Sequence, residues 1–83
     1  MAEWKVYILK CADGSFYTGI TTDIDRRIKE HNQAKASKYT RGRLPVELFR
    51  KTSQNLSQSH ALSLEYKIKS LSKKDKENIK NIL

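Results

Sequence analysis

Two strand-like runs joined by a turn signal constrain the fold of this chain more than any other feature. Residues 4–10 and 15–21 follow the two-residue period of a strand, and the tripeptide Ala12-Asp13-Gly14 lies between them. Runs of this kind on either side of a short glycine-containing turn are typical of an antiparallel β-hairpin. The sequence therefore predicts that the fold begins with such a hairpin.

The register of the hairpin decides which side chains share a face of the sheet. A two-residue turn would put Tyr7 and Tyr17 on opposite faces and divide the apolar side chains between them. A three-residue loop with Gly14 left-handed pairs Tyr7 with Gly19 and leaves the space opposite Tyr7 open. It also gathers apolar side chains on one face: Val6, Ile8, Phe16 and Ile20. We predict the three-residue loop, with both phenols together on the other face.

A helix is predicted directly after the hairpin. Thr22 or Asp23 can cap its N-terminus, and the helical period continues to about Asn32. Ile24 and Ile28 form the stripe that such a helix would bury against the sheet. The outward-facing side chains would be Arg26, Lys29 and Glu30.

Arg27 and His31 lie one helical turn apart on one flank of this buried stripe. At that position both side chains would face the tyrosines of the hairpin. A plainer alternative is that Arg27 pairs with Asp23 and that His31 only complements the C-terminal dipole of the helix. The spacing alone leaves both interpretations open.

The middle of the chain predicts a basic loop and a third strand. Residues 33–43 form the loop, and residues 46–51 after Pro45 form a strand that pairs at a sheet edge or begins centrally. With the helices described next, the predicted fold class is α+β. It is a small three-stranded antiparallel sheet flanked by helices, in the order β-β-α-β-α-α.

Two further helices are predicted after the third strand. The first begins at Ser57 or Ser59 and ends near Ser70, and Ser72 would cap a last basic helix over residues 73–83. The core stripe of the first consists of Ala61, Leu64, Ile68 and Leu71. The side chains that the last helix could bury are Ile79, Ile82 and Leu83.

The length, the cysteine content and the charge exclude several classes of protein. A chain of 83 residues without repeats or linkers predicts one domain over residues 1–83. The single cysteine, Cys11, excludes an internal disulfide and a cysteine-based zinc site. Because the chain has no long apolar stretch and no export signal, we expect a cytoplasmic protein without a membrane span. A formal net charge of +8 favours an anionic partner.

The predicted basic loop is a candidate nucleic-acid contact. Four cationic side chains surround one aromatic residue there: Lys35, Lys38, Arg41 and Arg43 around Tyr39. The cations could hold phosphates and the tyrosine could stack on a base, which would give salt-sensitive binding with little sequence preference. A solvated loop without a ligand is an equally good interpretation of the same residues.

Two triplets and three single residues together resemble a known family, the GIY-YIG nuclease domain. They are Val6-Tyr7-Ile8, Tyr17-Thr18-Gly19, Arg27, His31 and Glu65 on the next long helix. The resemblance extends over about residues 4–71, and the turn of the hairpin and residues 38–43 are similar to the small stand-alone bacterial members. Because five positions match in order and spacing, the resemblance is specific.

The resemblance implies an endonuclease that hydrolyses DNA phosphodiester bonds with one Mg²⁺ or Mn²⁺ ion, held by Glu65, and without a small-molecule cofactor. Tyr7 or Tyr17 would be the general base, although a phenol near its ordinary pKa of about 10 must first be acidified. Arg27 would hold the charge on the phosphate, and His31 would orient a phenol or the leaving oxygen. The implied substrates are repair or recombination intermediates.

Three positions depart from the family pattern. Val6 replaces the first glycine, Thr18 replaces isoleucine, and Ile20 stands where the excision-repair relatives have a lysine. The third change removes a cation that could lower the pKa of a neighbouring phenol, so either another basic residue such as Lys38 or Arg41 replaces it or turnover is slow.

Two alternatives to an active nuclease remain open from the sequence. One is a nucleic-acid-binding module of the same fold that cuts poorly, and the other is an adaptor that binds an acidic protein. The individual residues also have plainer interpretations: the tyrosines as ordinary strand aromatics and Glu65 as an ion-pair partner of Lys69. The sequence does not determine the oligomeric state.

Overall fold

A three-stranded antiparallel sheet with helices on both faces forms the fold in a computed structural model that describes residues 3–77. The strands are β1 (Lys5–Lys10), β2 (Phe16–Thr21) and β3 (Glu47–Lys51), in the spatial order β2-β1-β3. The helices are α1 (Ile24–Asn32), α2 (Lys38–Arg41), α3 (Gln58–Lys69) and α4 (Lys73–Glu77). The predicted fold class and order are confirmed, with the four-residue α2 as an addition.

The predicted hairpin register is confirmed. Tyr7 pairs with Gly19 across the two strands, and Gly14 is left-handed with φ 84°. The backbone N–H of Cys11 donates to the carbonyl oxygen of Ser15 at 2.8 Å, which closes the three-residue loop. Both phenols therefore lie on the same face, because they sit on paired strands in this register.

Gly19 is required by the close approach of Tyr7. A Cβ on Gly19 would lie 2.6 Å from the hydroxyl oxygen of Tyr7 and 2.8 Å from its Cζ. No side chain fits at these distances, so only glycine lets the Tyr7 ring lie across β2.

The two faces of the sheet bury different sets of side chains. The first core lies on the α3 side and contains Val6, Ile8, Phe16, Leu56, Ala61 and Ile68. The second lies on the α1 side and contains Tyr7, Leu9, Cys11 and Val46, with Tyr17, Ile24, Ile28 and Leu44 against it. Within the described residues, the Thr18 hydroxyl is buried without a hydrogen-bond partner, a cost of about 1–3 kcal/mol. Thr18 is also a position where the family pattern has isoleucine.

The structure corrects the sequence at two places, and at a third it decides between the two positions that the sequence left open for the last strand. Part of the predicted basic loop is the one-turn helix α2, whose N-terminus is capped by Ser37. Leu71 was expected in the core stripe of α3, but it lies beyond the end of that helix and is 36% exposed. β3 lies at an edge of the sheet, beside β1.

The caps of the other helices agree with the sequence. Asp23 accepts a hydrogen bond from the backbone N–H of Arg26, and Ser57 accepts one from the backbone N–H of His60. Ser72 caps α4 in the same way, whereas Ile79, Ile82 and Leu83 lie outside the described residues. None of the helices within residues 3–77 is long and apolar enough to cross a membrane.

Helix α1 ends in a turn that sets the path of the chain toward α2. The N–H of Ala34 donates to the carbonyl of His31 at 3.0 Å, and the N–H of Lys35 donates to the carbonyl of Glu30 at 2.9 Å. This pair of bonds is a Schellman motif, which requires a left-handed residue at its centre. Ala34 takes that conformation with φ 60°, although glycine is the residue that adopts it without strain.

We predict that Ala34→Gly raises the free energy of unfolding by about 0.5–1 kcal/mol, because relief of the left-handed strain exceeds the added entropy of the unfolded chain. Ala34 is exposed, so no packing is lost. Urea unfolding of both proteins measures the difference. Ala36→Gly is the control, since Ala36 has no positive φ and its replacement should lower stability. Equal losses in the two variants would contradict the prediction.

Candidate functional site

Tyr7, Tyr17 and His31 form an aromatic cluster between the sheet and α1. The ring centroids of Tyr7 and Tyr17 lie 6.4 Å apart, and His31 lies 5.9 Å from the first and 5.1 Å from the second. Tyr7 is 1% exposed and Tyr17 is half-buried. Together with Arg27, whose guanidinium acts on the Tyr7 hydroxyl, these three residues are called the tyrosine cluster below.

His31 is buried more deeply than a residue on the flank of a helix stripe would be. Its imidazole is 0% exposed, and its Nε2 lies 2.9 Å from the hydroxyl of Tyr7. Its Nδ1 lies 2.9 Å from the hydroxyl of Thr40, which itself donates to the carbonyl oxygen of Ser37 at 3.2 Å. The plainer interpretation of His31 as a dipole residue therefore does not describe its contacts.

One arrangement of hydrogens satisfies every donor and acceptor in this series of hydrogen bonds. Because the Thr40 hydroxyl gives its hydrogen to a carbonyl, it accepts from the Nδ1–H of His31. The Nε2 of His31 is then an acceptor for the hydroxyl hydrogen of Tyr7. The tautomer of His31 is thus set by a residue from α2.

Burial favours the neutral forms of His31 and Tyr7, and it shifts the pKa of each residue accordingly. Burial, with repulsion from Arg27, lowers the pKa of His31 to about 4. Burial raises the pKa of Tyr7 to about 12, and the nearby Arg27 guanidinium lowers it by less than burial raises it. The acidified phenol that the resemblance requires is therefore not present at Tyr7 in the protein alone.

Arg27, the cationic member of the tyrosine cluster, pairs with a different carboxylate from the one named in its plainer interpretation. Its Nη1 is 3.1 Å from Oε1 of Glu30, which the helical pattern placed on the outward face, and it does not pair with Asp23. Both side chains are about one-third exposed, so an anion from solvent can reach the guanidinium.

Glu65 makes the ion pair of its plainer sequence interpretation, and its charge also acts on a tyrosine. Its carboxylate lies 3.4 Å from the ammonium of Lys69, the ion pair expected one turn along α3. Its negative charge is also close enough to Tyr7 to raise the pKa of that phenol. The charge of Glu65 therefore reaches the phenol of Tyr7, although α3 packs against the other face of the sheet, and the Glu65 side chain is 17% exposed.

The donor set fits a weakly ligated hard cation and no other kind of metal site. Within residues 3–77 no group of three histidine, cysteine or acidic side chains could hold an ion. Mg²⁺ needs only one or two carboxylates, because water and substrate oxygens complete its shell. Glu65 could supply that one carboxylate, whereas zinc would need three or four protein ligands.

The predicted basic loop, residues 33–43, adjoins the tyrosine cluster. Tyr39 and the cationic side chains around it are called the basic strip below. The ring of Tyr39 lies 6.0 Å from that of Tyr17, and the Arg43 guanidinium lies 4.1 Å above the Tyr39 ring. Arg43 is held there by the Tyr39 carbonyl oxygen at 2.7 Å and by an Asp13 carboxylate oxygen at 3.0 Å. The remaining cations of the strip are exposed: Lys35, Lys38 and Arg41.

Thr40 is the member of the site that the sequence did not reveal. It is 0% exposed in a segment whose composition is that of a solvated loop. The signal that could have found it is Ser37, a helix cap three residues earlier, which predicts one turn of helix and a buried position at Thr40.

Comparison with known proteins identifies the family. The model of the GIY-YIG catalytic domain matches residues 3–78. A UPF0213 protein of Halobacterium salinarum is 53% identical over 72 residues, which cover 87% of this chain and 92% of the relative.

Two structures solved by NMR are also similar. A UPF0213 protein from Bacillus halodurans has a TM-score of 0.54 and 51% identity, over 89% of this chain and 78% of that chain. A protein from E. faecalis has a TM-score of 0.57 and 40% identity, over 88% of this chain and 77% of that chain.

The buried His31 predicts a specific pH dependence of stability. Its pKa is 6.5 when unfolded and about 4 when folded, so the unfolded chain binds more protons between these values. Stability should therefore fall as the pH falls through this window, by about 3 kcal/mol. Urea unfolding across this range measures the loss.

His31→Gln should remove this part of the pH dependence, whatever its effect at neutral pH. His60→Gln is the matched control, because His60 is exposed and its imidazole makes no hydrogen bond within the described residues. An unchanged pH dependence in His31→Gln would show that His31 is not held neutral by burial.

Proposed function

The chain belongs to the GIY-YIG family of catalytic domains, and from this premise we propose that it is a metal-dependent endonuclease that hydrolyses DNA phosphodiester bonds. The observation that carries the proposal is the tyrosine cluster. Two phenols, an imidazole and a guanidinium from three separate elements meet on one face of the sheet. A purely structural core would not need a guanidinium that solvent anions can reach.

Tyr7 and Tyr17 differ in burial and in hydrogen bonding, and these differences would give them different roles in catalysis. Tyr7 is almost fully buried and its hydroxyl is engaged with His31. Tyr17 is half-buried, and within residues 3–77 its hydroxyl makes no hydrogen bond. We therefore propose that Tyr17, after losing its own hydroxyl proton to solvent, accepts as a phenolate the proton of the attacking water, and that Tyr7 positions Arg27 and His31.

Arg27 is proposed to hold the charge that develops on the phosphate. A guanidinium offers paired donors to two phosphate oxygens, which a lysine cannot. Its present partner, Glu30, is partly exposed, and an exposed pair of this kind is worth about 0.2–1 kcal/mol. A phosphate could therefore displace Glu30 at little cost.

Glu65 is proposed to hold one Mg²⁺ or Mn²⁺ ion. When bound, the ion would supply a Lewis acid that polarises a phosphate oxygen and stabilises the leaving oxygen. Glu65 would exchange its ion pair with Lys69 for this contact. Neutralisation of the Glu65 charge by the ion would also remove one of the smaller causes of the raised pKa of Tyr7, of which burial is the largest.

The proposed substrate is DNA bound through its backbone, such as a repair or recombination intermediate. The exposed cations beside Tyr39 could contact phosphates, and phosphate contacts give affinity without sequence readout. Shape of the DNA, rather than base sequence, would then select the site of cleavage.

A nucleic-acid-binding module that cuts poorly is the second candidate. It is favoured by the raised pKa of Tyr7 and by Ile20 in place of a lysine. Lys38 and Arg41, the possible replacements for that lysine, make no hydrogen bond and no cation–π contact with either tyrosine among the described residues.

Cleavage of supercoiled and branched DNA with Mg²⁺ or with a chelator tests the proposal. We expect cleavage only with the metal. Arg27→Ala and Glu65→Ala should lower the rate at least about 100-fold, because each removes stabilisation of transition-state charge. Tyr17→Phe should cause a similar loss, and Tyr7→Phe a smaller one.

Control variants at exposed residues distinguish a loss of catalysis from a loss of folding or from a general effect of charge. Lys29→Ala, Glu47→Gln and Tyr66→Phe alter exposed residues and should keep wild-type activity. Binding without metal-dependent cleavage by the wild type would favour the second candidate. Cleavage that survives Arg27→Ala and Glu65→Ala would contradict the proposed site.

Mn²⁺ titration followed by NMR tests the metal site without an activity assay. Paramagnetic broadening should affect the amides near Glu65 and the signals of Tyr7 and Tyr17 together, because one ion would lie between them. Glu65→Gln should abolish the effect, and Glu47→Gln should leave it unchanged. Broadening centred on another part of the chain would rule out Glu65 as the ligand.

A further inference from the structure

A cavity is lined in part by Tyr39, whose ring also adjoins Tyr17 of the tyrosine cluster. It has a volume of about 170 Å³ and is formed where α4 meets the hairpin. The lining residues are Ser15, Phe16, Tyr39, Lys73 and Lys76. The cavity thus has two aromatic walls and two ammonium groups.

The ammonium groups bring positive charge that no carboxylate within residues 3–77 neutralises through an ion pair. The Nζ of Lys73 lies 3.8 Å from the position that a Cβ on Gly14 would take, so it lies over the turn of the hairpin. Burial and the charge of Lys69 lower the pKa of Lys76, so its ammonium is partly desolvated. No salt bridge among the described residues includes Lys73 or Lys76.

Tyr39 connects this cavity to the tyrosine cluster. One neighbour of its ring is Tyr17 at 6.0 Å, and it also lines the cavity that holds the two lysines. The Arg43 guanidinium also lies over the Tyr39 ring. A strand that leaves the tyrosine cluster past Tyr39 would therefore meet Lys73 and Lys76 next.

We infer that the cavity between α4 and the hairpin binds a phosphate of the DNA strand, with the adjoining sugar or base against Tyr39. This inference rests on the proposed nuclease function and names a second contact of its substrate. An anion would compensate the two unpaired ammonium groups, and an aromatic wall accepts any base by stacking. The hydroxyl of Ser15 contributes little as a donor, because it already donates to Asp13 at 2.6 Å.

Two sources could supply the phosphate: an internal phosphodiester of the strand or the phosphate monoester at a strand end. Both present the same oxygens to the lysines. Short single-stranded oligodeoxynucleotides with and without a terminal phosphate distinguish them. Fluorescence anisotropy in chelator measures binding while metal-dependent cleavage is switched off.

Lys73→Gln and Lys76→Gln should each weaken binding about 3–10-fold at about 0.1 M salt and lower the slope of log affinity against log salt by about 0.7. Lys74→Gln is the matched control, because Lys74 is on the same helix, is exposed and does not line the cavity. It removes the same charge and should weaken binding less than about twofold. Circular dichroism checks that each variant is folded.

An equal loss on both oligodeoxynucleotides identifies an internal phosphodiester, and a loss confined to the phosphorylated one identifies a strand end. If Lys73→Gln and Lys76→Gln bind like Lys74→Gln, the inference is wrong. That failure is separate from failure of the proposed function, in which the wild type would show no metal-dependent cleavage in the parallel assay.

Discussion

The hydrogen bonds from Tyr7 through His31 to Thr40 connect the three elements that carry the candidate site. They join the central strand β1, the helix α1 and the short helix α2, which are distant along the chain. Because the network is buried, losing one member would leave the next without a partner, at about 1–3 kcal/mol each. Burial of the same residues favours neutral His31 and protonated Tyr7, so the packing that forms the network also sets the protonation states.

Gly19 and the hairpin register make this network possible. In this register Tyr7 lies opposite a residue without a side chain, and its hydroxyl can pass across β2 toward α1. The register was predictable because a slip by one residue would move every side chain of one strand to the other face. The shared face of Tyr7 and Tyr17, and the place of Arg27 and His31 on α1, followed from that register and from helical spacing.

Other features of the site depend on contacts that spacing does not encode. Asp23 and Glu30 are both within one turn of Arg27, and only the packed structure selects Glu30. A helix of one turn is too short to produce a periodic pattern, so α2 and the buried Thr40 looked like a solvated loop. The pKa of Tyr7 is raised mainly by burial, which depends on the whole fold rather than on the residues next to it in the sequence.

The charged groups of the site share one arrangement: each has a partner that a ligand could replace. Arg27 is held by Glu30, Arg43 by Asp13 and Glu65 by Lys69, and at least one side chain of every pair is more than one-third exposed. Pairs of this kind contribute about 0.2–1 kcal/mol, far less than a buried pair would cost to break. These ion-pair partners thus hold the functional side chains in position, and a phosphate or a cation can displace them at little cost in free energy. The rigid part of the site is the uncharged network around His31, and the part that can respond to a phosphate or a cation is ionic.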